Sequence, residues 1–167
     1  GVGGAGAMGL RDSCVMGRAR GTSRAAGYVD GEGRILGWFN ELALAPVDLS
    51  PQAAKDDWSG DTGVGGQYFS QDAVIRLAPA AGIPLPEMLT PAEKLSAVQE
   101  LAAAGDPRAL AIFRDIGIYL GHTLPLYAGV YELKNLMVLG RVASGIGGEL
   151  IVSECRRVLA EEYPALH

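Results

Sequence analysis

A short apolar run near the C-terminus is followed at once by a glycine-rich loop and an amphipathic segment. Leu136 to Leu139 are four apolar residues in succession, which favours a strand buried on both faces of a sheet. Glycines interrupt residues 140–148, and apolar residues at helical spacing then run from Leu150 to Leu159. A strand, a glycine loop and a helix in this order predict an α/β fold.

The glycine loop of residues 140–148 has two explanations. In a functional loop, glycines let the backbone approach a ligand, so that N–H groups at the helix N-terminus meet a phosphate or an adenosine moiety. In a structural loop, they make a flexible connection, which is plausible in a chain with 24 glycines. The loop by itself favours neither explanation.

The first third of the chain has the pattern of a three-stranded antiparallel meander. Strands are predicted over residues 13–18, 25–30 and 35–39. Residues 31–33 (Gly-Glu-Gly) close a hairpin, because glycine supplies the positive φ that tight hairpin turns require. The first turn, residues 21–23 (Gly-Thr-Ser), presents a hydroxyl and backbone amides that suit a phosphate, although turns of this composition are common and a structural role is favoured.

Residues 44–66 show no periodicity and hold prolines and turn-forming residues, which predicts a long loop. Asp56, Asp57 and Asp61 surround Trp58 in this loop. They suit a metal or sugar site, because aromatic rings stack on sugars and carboxylates bind hydroxyls. An acidic, solvated loop is the favoured interpretation.

Three helices follow the loop, each with a start signal. Ser70 is a typical N-cap, residues 90–93 (Thr-Pro-Ala-Glu) combine a capping box with a first-turn proline, and residues 106–107 (Asp-Pro) repeat the arrangement. The second helix is predicted to end at Gly105. Pro125 is predicted to kink or end the third, because proline lacks the backbone N–H that a helix interior requires.

Composition limits the class of protein. A length of 167 residues with 49% hydrophobic content predicts one compact unit. A net charge of -5 with 20% charged residues does not favour nucleic acid or an anionic membrane as a partner. Residues 116–131 lack charges but are too few for a transmembrane helix. Cys14 and Cys155 have no metal-ligand spacing and suggest free thiols in the cytoplasm.

The order of these elements resembles the C-terminal lobe of the actin/hexokinase-type ATPase superfamily, and within it the ROK group of sugar kinases and sugar-responsive repressors. The segments that carry the resemblance are residues 20–30, 40–42, 105–109 and 136–148. The resemblance implies a ribonuclease H-like lobe with a mixed sheet, spanning residues 1–167 and belonging to a longer two-lobed protein.

The resemblance also implies site residues. Positions for ATP with Mg are Gly21, Thr22 and Ser23 at the β- and γ-phosphates and Gly140, Arg141, Gly145, Gly147 and Gly148 around the adenosine. Asn40 and Glu41 would contact a sugar. Family members follow this glutamate with a Gly-His pair and then zinc cysteines, whereas this chain has Ala43 and Leu44 and no cysteine in residues 49–67. No zinc is therefore expected.

No catalytic residue is expected in this chain. Phosphoryl transfer in the superfamily needs an aspartate base, which the resemblance places before Gly1, and residues 1–10 hold no replacement. The sequence thus predicts a nucleotide-binding lobe that does not turn over substrate by itself, although an active parent protein would be an ATP-dependent sugar kinase. The alternative is a noncatalytic ligand-sensing domain or a self-associating one, for example a homodimer. A β-branched residue at Gly147 is predicted to abolish nucleotide binding and leave the fold intact.

Overall fold

The computed structural model describes residues 15–20, 24–35, 42–138 and 140–166. Within these ranges lie three strands and four α-helices: β1 (Val15–Arg20), β2 (Arg24–Val29), α1 (Gln71–Ala80), α2 (Pro91–Ala103), α3 (Pro107–Ala128), β3 (Asn135–Val138) and α4 (Gly145–Glu162). Short 3-10 turns cover Gly65–Gln67, Arg141–Ala143 and Pro164–Leu166. The chain is a mixed α/β structure rich in helix.

The three described strands form one mixed sheet in the order β2-β1-β3. β1 and β2 are antiparallel, with Arg20 opposite Arg24. β1 and β3 are parallel, with Arg18 opposite Val138. Because parallel strands end on the same side, the C-terminal ends of β1 and β3 lie at one edge of the sheet.

The third strand predicted for the meander falls largely on residues 36–39, which lie outside the described residues. Ile35 is described and forms an isolated antiparallel bridge with Val29. The turn before it is tight: the Gly33 N–H donates to the Asp30 carbonyl at 3.0 Å, and Gly33 has a φ of 81°, which glycine adopts without strain.

The predicted helix starts are present as side-chain caps. The Ser70 hydroxyl accepts from the Asp72 N–H at 3.0 Å at the start of α1. At the start of α2, Thr90 and Glu93 form a reciprocal capping box. The Asp106 carboxylate accepts from the Arg108 N–H at 2.9 Å at the start of α3. These bonds satisfy N–H groups that have no partner within the helix.

Pro125 does not end α3, which continues to Ala128. Of the two effects predicted for Pro125, a helix end is therefore wrong, and a kink stays a prediction. The proline removes one N–H donor close to the C-terminus of the helix, and its carbonyl still accepts from the Gly129 N–H at 3.2 Å. Buried side chains on both sides of it, Leu124 and Tyr127, hold the last turn against the core.

The helices α3 and α4 pack closely because two glycines of α3 face α4. A Cβ at Gly117 would lie 2.6 Å from the Ile151 carbonyl oxygen, and one at Gly121 would lie 2.6 Å from the Val158 Cβ. Real Cβ atoms do not approach so closely, so only glycine permits this separation of the helix axes. The fully buried Phe113, also on α3, extends the same core toward the start of α4.

The prediction that β3 is buried on both faces is wrong. Leu136 and Val138 are half-buried against the hydrophobic core, whereas Met137 on the opposite face is 47% exposed. The reason is position: β3 is an edge strand of the described sheet, and helices cover one face only at this strand.

Hydrogen bonds hold the loop of residues 42–66 in place. The Tyr68 hydroxyl donates to the Asp48 carboxylate at 2.7 Å and accepts from the Ala54 N–H at 2.9 Å. The hydrogen bond from Tyr68 lowers the pKa of Asp48, while burial, followed by this carboxylate, raises the pKa of Tyr68 to about 12. Tyr68 is therefore a neutral donor at physiological pH.

The acidic part of this loop is only partly solvated. Asp56 is buried, and its carboxylate accepts from the Ser59 N–H at 2.9 Å and from the Gln67 amide at 2.8 Å. The expectation of a solvated loop is therefore wrong for Asp56, which fixes the turn, although Asp57 and Asp61 are exposed. Across the described ranges, no group of three or more His, Cys, Asp or Glu side chains is placed to hold a metal ion.

Two further expectations concern membrane-spanning helices and the two cysteines. No described helix is long and apolar enough to cross a membrane. Cys155 is a buried free thiol, and burial raises its pKa to about 11, so it stays protonated. Cys14 lies outside the described residues.

Candidate functional site

The loop between β3 and α4 follows a compact path. Gly140 has a φ of 110°, which a residue with a side chain rarely adopts. One 3-10 turn over Arg141–Ala143 follows. Gly145 opens α4 with a φ of 59°, the left-handed region that favours glycine. The backbone thus favours glycine at both positions.

The N-terminus of α4 has no side-chain cap among the described residues. Ser144 occupies the N-cap position, but its hydroxyl makes no capping hydrogen bond to the helix; it donates instead to the Arg141 carbonyl at 2.6 Å. The first turn of α4 holds no acidic residue. Ser144, Gly145 and Ile146 are exposed, so the start of α4 is accessible from solvent. Backbone N–H groups and the positive end of the helix dipole at such a position suit an anion.

The two remaining glycines of the loop serve packing. A Cβ at Gly147 would lie 2.7 Å from the Phe113 ring, and one at Gly148 would overlap the Ala143 carbonyl oxygen. Both residues are buried. The expectation that a β-branched residue at Gly147 leaves the fold intact conflicts with this geometry and is wrong, because the added atoms would enter a closely packed core.

An open cleft of about 550 Å³ lies beside the start of α4. Its lining includes Ala143 just before α4 and, from α4 itself, Gly145, Gly148, Glu149, Ser153 and Arg156. A Cβ at Gly145 would meet no atom within 4 Å. This side of the loop is therefore open to a ligand, in contrast to the side that faces Phe113.

The predicted site residues fall into two groups. Gly140, Arg141, Gly145, Gly147 and Gly148 lie together in the loop after β3, and Arg141 is exposed. Gly21, Thr22, Ser23, Asn40 and Glu41 lie outside the described residues.

The residues on either side of segment 21–23 are described. Arg20 pairs with Arg24 at the end of β1, and Arg18 is level with Val138. β3 ends at Val138, level with Arg18, and β1 continues for two residues to Arg20. The ends of the two strands that precede the predicted phosphate and adenosine segments thus meet at one edge of the sheet.

Two residues that support the loop were not predicted from the sequence. Gln99 of α2 donates through its side-chain amide to the Arg141 carbonyl at 2.6 Å, and Phe113 of α3 packs against Gly147. Gln99 and Arg141 are 42 residues apart. A glutamine or phenylalanine on a helix is ordinary in sequence, and a long-range contact leaves no local pattern that could reveal it.

Comparison with solved structures identifies the fold. A ROK family glucokinase from Streptomyces griseus, in complex with glucose and AMPPNP, matches with a TM-score of 0.66 and 23% identity, covering 89% of this chain and 50% of that one. A ROK hexokinase from Thermus thermophilus matches with a TM-score of 0.64 and 21% identity, covering 89% of this chain and 49% of that one. A ROK family transcriptional regulator, a homolog of the E. coli MLC protein, matches with a TM-score of 0.68 and 19% identity over 94% of this chain and 40% of that one.

These matches confirm the predicted resemblance at the level of the fold. The chain has the fold of part of a ROK-type protein, and it spans half or less of the length of the three proteins it matches. No family model and no curated protein sequence matches it.

Proposed function

We propose that this chain is the ATP-binding part of a ROK-like sugar kinase-type protein and that it does not catalyse phosphoryl transfer by itself. One observation carries the proposal: the parallel pairing of β1 and β3 brings two strand ends to one edge of the sheet, and β3 leads there into a glycine loop and the N-terminus of α4. Ligands of open α/β sheets bind outside the carboxyl ends of the strands.

The chemistry of the loop fits a nucleotide. The uncapped first turn of α4 offers N–H donors and a positive dipole end, and the adjoining cleft is open at Gly145. Residues 21–23, after β1, would contact the β- and γ-phosphates of ATP with its Mg ion, and Gly140 and Arg141 would border the adenosine. The first turn of α4 at Gly145 would then lie beside the α-phosphate, which joins the adenosine to the other two phosphates. The glucokinase with the same fold is in complex with glucose and AMPPNP, which supports a nucleotide here and a sugar at Asn40 and Glu41.

A second candidate is a noncatalytic ligand-sensing or self-associating domain with the same fold. The likeness to the ROK family transcriptional regulator favours it, since that match covers 94% of this chain with a TM-score of 0.68. The two candidates differ in nucleotide binding: the first requires it, and the second requires only that a ligand or a second copy changes the state of the domain.

Paired substitutions at Gly145 test the nucleotide site. Asparagine and aspartate both tolerate the left-handed backbone, and both would project into open space, so the variants differ by one charge. A carboxylate beside bound phosphates is repelled by ~1 kcal/mol or more. We expect Gly145→Asp to bind Mg·ATP about tenfold more weakly than Gly145→Asn in calorimetric titration. Because a carboxylate in the first turn of a helix is stabilising, Gly145→Asp should be at least as stable to urea as Gly145→Asn.

Adenosine without phosphates is the matched ligand control and should not distinguish the two variants. Equal ATP affinity of Gly145→Asp and Gly145→Asn would place the phosphates away from the start of α4. Absence of any heat with wild-type protein at millimolar Mg·ATP would contradict nucleotide binding itself.

A further inference from the structure

A hydrogen-bond bridge links α2 to the glycine loop. The side-chain amide nitrogen of Gln99 donates to the Arg141 carbonyl at 2.6 Å and to the Ser144 hydroxyl at 3.2 Å. A carbonyl oxygen only accepts hydrogen bonds, so the group of Gln99 that faces it must be the NH₂. Gln99 is therefore the hydrogen-bond donor in both contacts of the bridge.

The bridge orients the hydroxyl that would otherwise cap α4. Ser144 donates its one hydroxyl proton to the Arg141 carbonyl at 2.6 Å and accepts from Gln99. A serine at the N-cap normally accepts from the N–H of the second or third helical residue, here Ile146 or Gly147. No such bond forms, although serine is among the best N-cap residues.

Capping by Ser144 and binding of an anionic ligand compete for the same donors. Each would use the N–H groups of the first turn of α4, and the turn has few of them without partners. If Ser144 capped the helix, a phosphate would have to displace it, and its apparent affinity would fall accordingly.

We propose that Gln99 is a positioning residue that holds Ser144 away from the first turn of α4 and so keeps this turn free for the nucleotide. The inference rests on the proposed function for its consequence, because the occupant of the turn is taken to be ATP. The hydrogen bonds from Gln99 to Arg141 and Ser144, and the lack of a side-chain cap from Ser144, are properties of the described structure.

Replacing Gln99 with methionine keeps the length and shape of the side chain and removes both hydrogen bonds. We expect Ser144 to turn and cap α4 in Gln99→Met. Mg·ATP should then bind about fivefold more weakly in calorimetric titration, which corresponds to ~1 kcal/mol. Without nucleotide, amide hydrogen exchange at Ile146 and Gly147 should be about fivefold slower than in the wild type.

The double variant Gln99→Met/Ser144→Ala separates this mechanism from simple loosening of the loop. Alanine cannot cap, so nucleotide affinity should return to within about twofold of the wild type, and exchange at Ile146 and Gly147 should become fast again. A loop that had merely lost support would bind still more weakly in the double variant, and that result would overturn the inference, as would unchanged exchange in Gln99→Met.

The two proposals fail in different ways. If wild-type protein gives no heat with Mg·ATP, the proposed function fails, yet the exchange measurements on the ligand-free variants still decide whether Gln99 restrains Ser144. If wild-type protein binds Mg·ATP and Gln99→Met binds it equally well, the inference about Gln99 fails and the proposed function stands.

Discussion

Replacing Gly121 with valine is expected to lower the free energy of unfolding by about 3 kcal/mol, or to prevent folding. A Cβ at this position would lie 2.6 Å from the Val158 Cβ, 2.8 Å from its Cγ1 and 3.1 Å from the Cys155 carbonyl oxygen. Val158 is branched at Cβ and buried, and the carbonyl belongs to the α4 backbone, so neither can give way. The helices α3 and α4 would have to separate, which would expose the core they share.

The control is Ala111→Val, which adds a β-branched side chain to the same helix on an exposed position. Its cost is only the difference in helix propensity, below ~1 kcal/mol. Urea unfolding followed by circular dichroism compares the two variants with the wild type. Equal stability of Gly121→Val and Ala111→Val would show that α3 and α4 do not pack at the separation described.

Replacing Gly147 with valine is expected to cost about 3 kcal/mol as well, because its Cβ would lie 2.7 Å from the Phe113 ring. Phe113 is fully buried and cannot swing aside. Phe113→Leu removes ring atoms that Gly147→Val would meet. The double variant Gly147→Val/Phe113→Leu should therefore be more stable than the sum of the single effects predicts, by about 1 kcal/mol or more.

Urea unfolding of the four proteins in this double-mutant cycle measures the coupling. Additive effects would mean that the side chain at position 147 does not reach the ring. The result also matters for binding experiments: if Gly147→Val unfolds the chain, its loss of nucleotide binding carries no information on the site, whereas Gly145 can be substituted without entering the core.

Local signals predicted the helix starts well. The caps at Ser70, Thr90 and Asp106 depend on side chains within three residues of the N–H groups they satisfy, so sequence alone contains the full arrangement. The glycine loop was also predicted from a local signal. Gly140 and Gly145 have positive φ angles that favour glycine, so the glycines themselves mark the loop in the sequence.

Features that depend on distant residues could not be predicted in this way. The apolar run of β3 indicated burial on both faces, but burial depends on neighbouring strands and helices, and Met137 is exposed. Pro125 indicated a kink or a helix end, but α3 continues to Ala128, and the buried Leu124 and Tyr127 hold its last turn. The sequence around Asp56 indicated a solvated carboxylate, but Asp56 is buried and accepts a hydrogen bond from Gln67, which is 11 residues away.

The candidate site was predicted in part. The loop residues Gly140 to Gly148 lie together at one strand end, and Gly147 and Gly148 prove to be needed for packing against Phe113 and Ala143. The assignments of segments 21–23 and 40–41 stay predictions. Their support comes from the parallel pairing of β1 and β3, which brings the C-terminal ends of both strands to one edge of the sheet.

Amide chemical shifts of the ¹⁵N-labelled chain, recorded during titration with Mg·ATP, test most directly whether one nucleotide occupies this edge of the sheet. We expect the largest changes at Gly140, Ser144 and Gly145 in the loop and at Arg20 and Arg24, which flank the turn after β1. Saturable changes confined to a remote surface, such as the loop around Trp58, or no changes at millimolar Mg·ATP, would contradict the account.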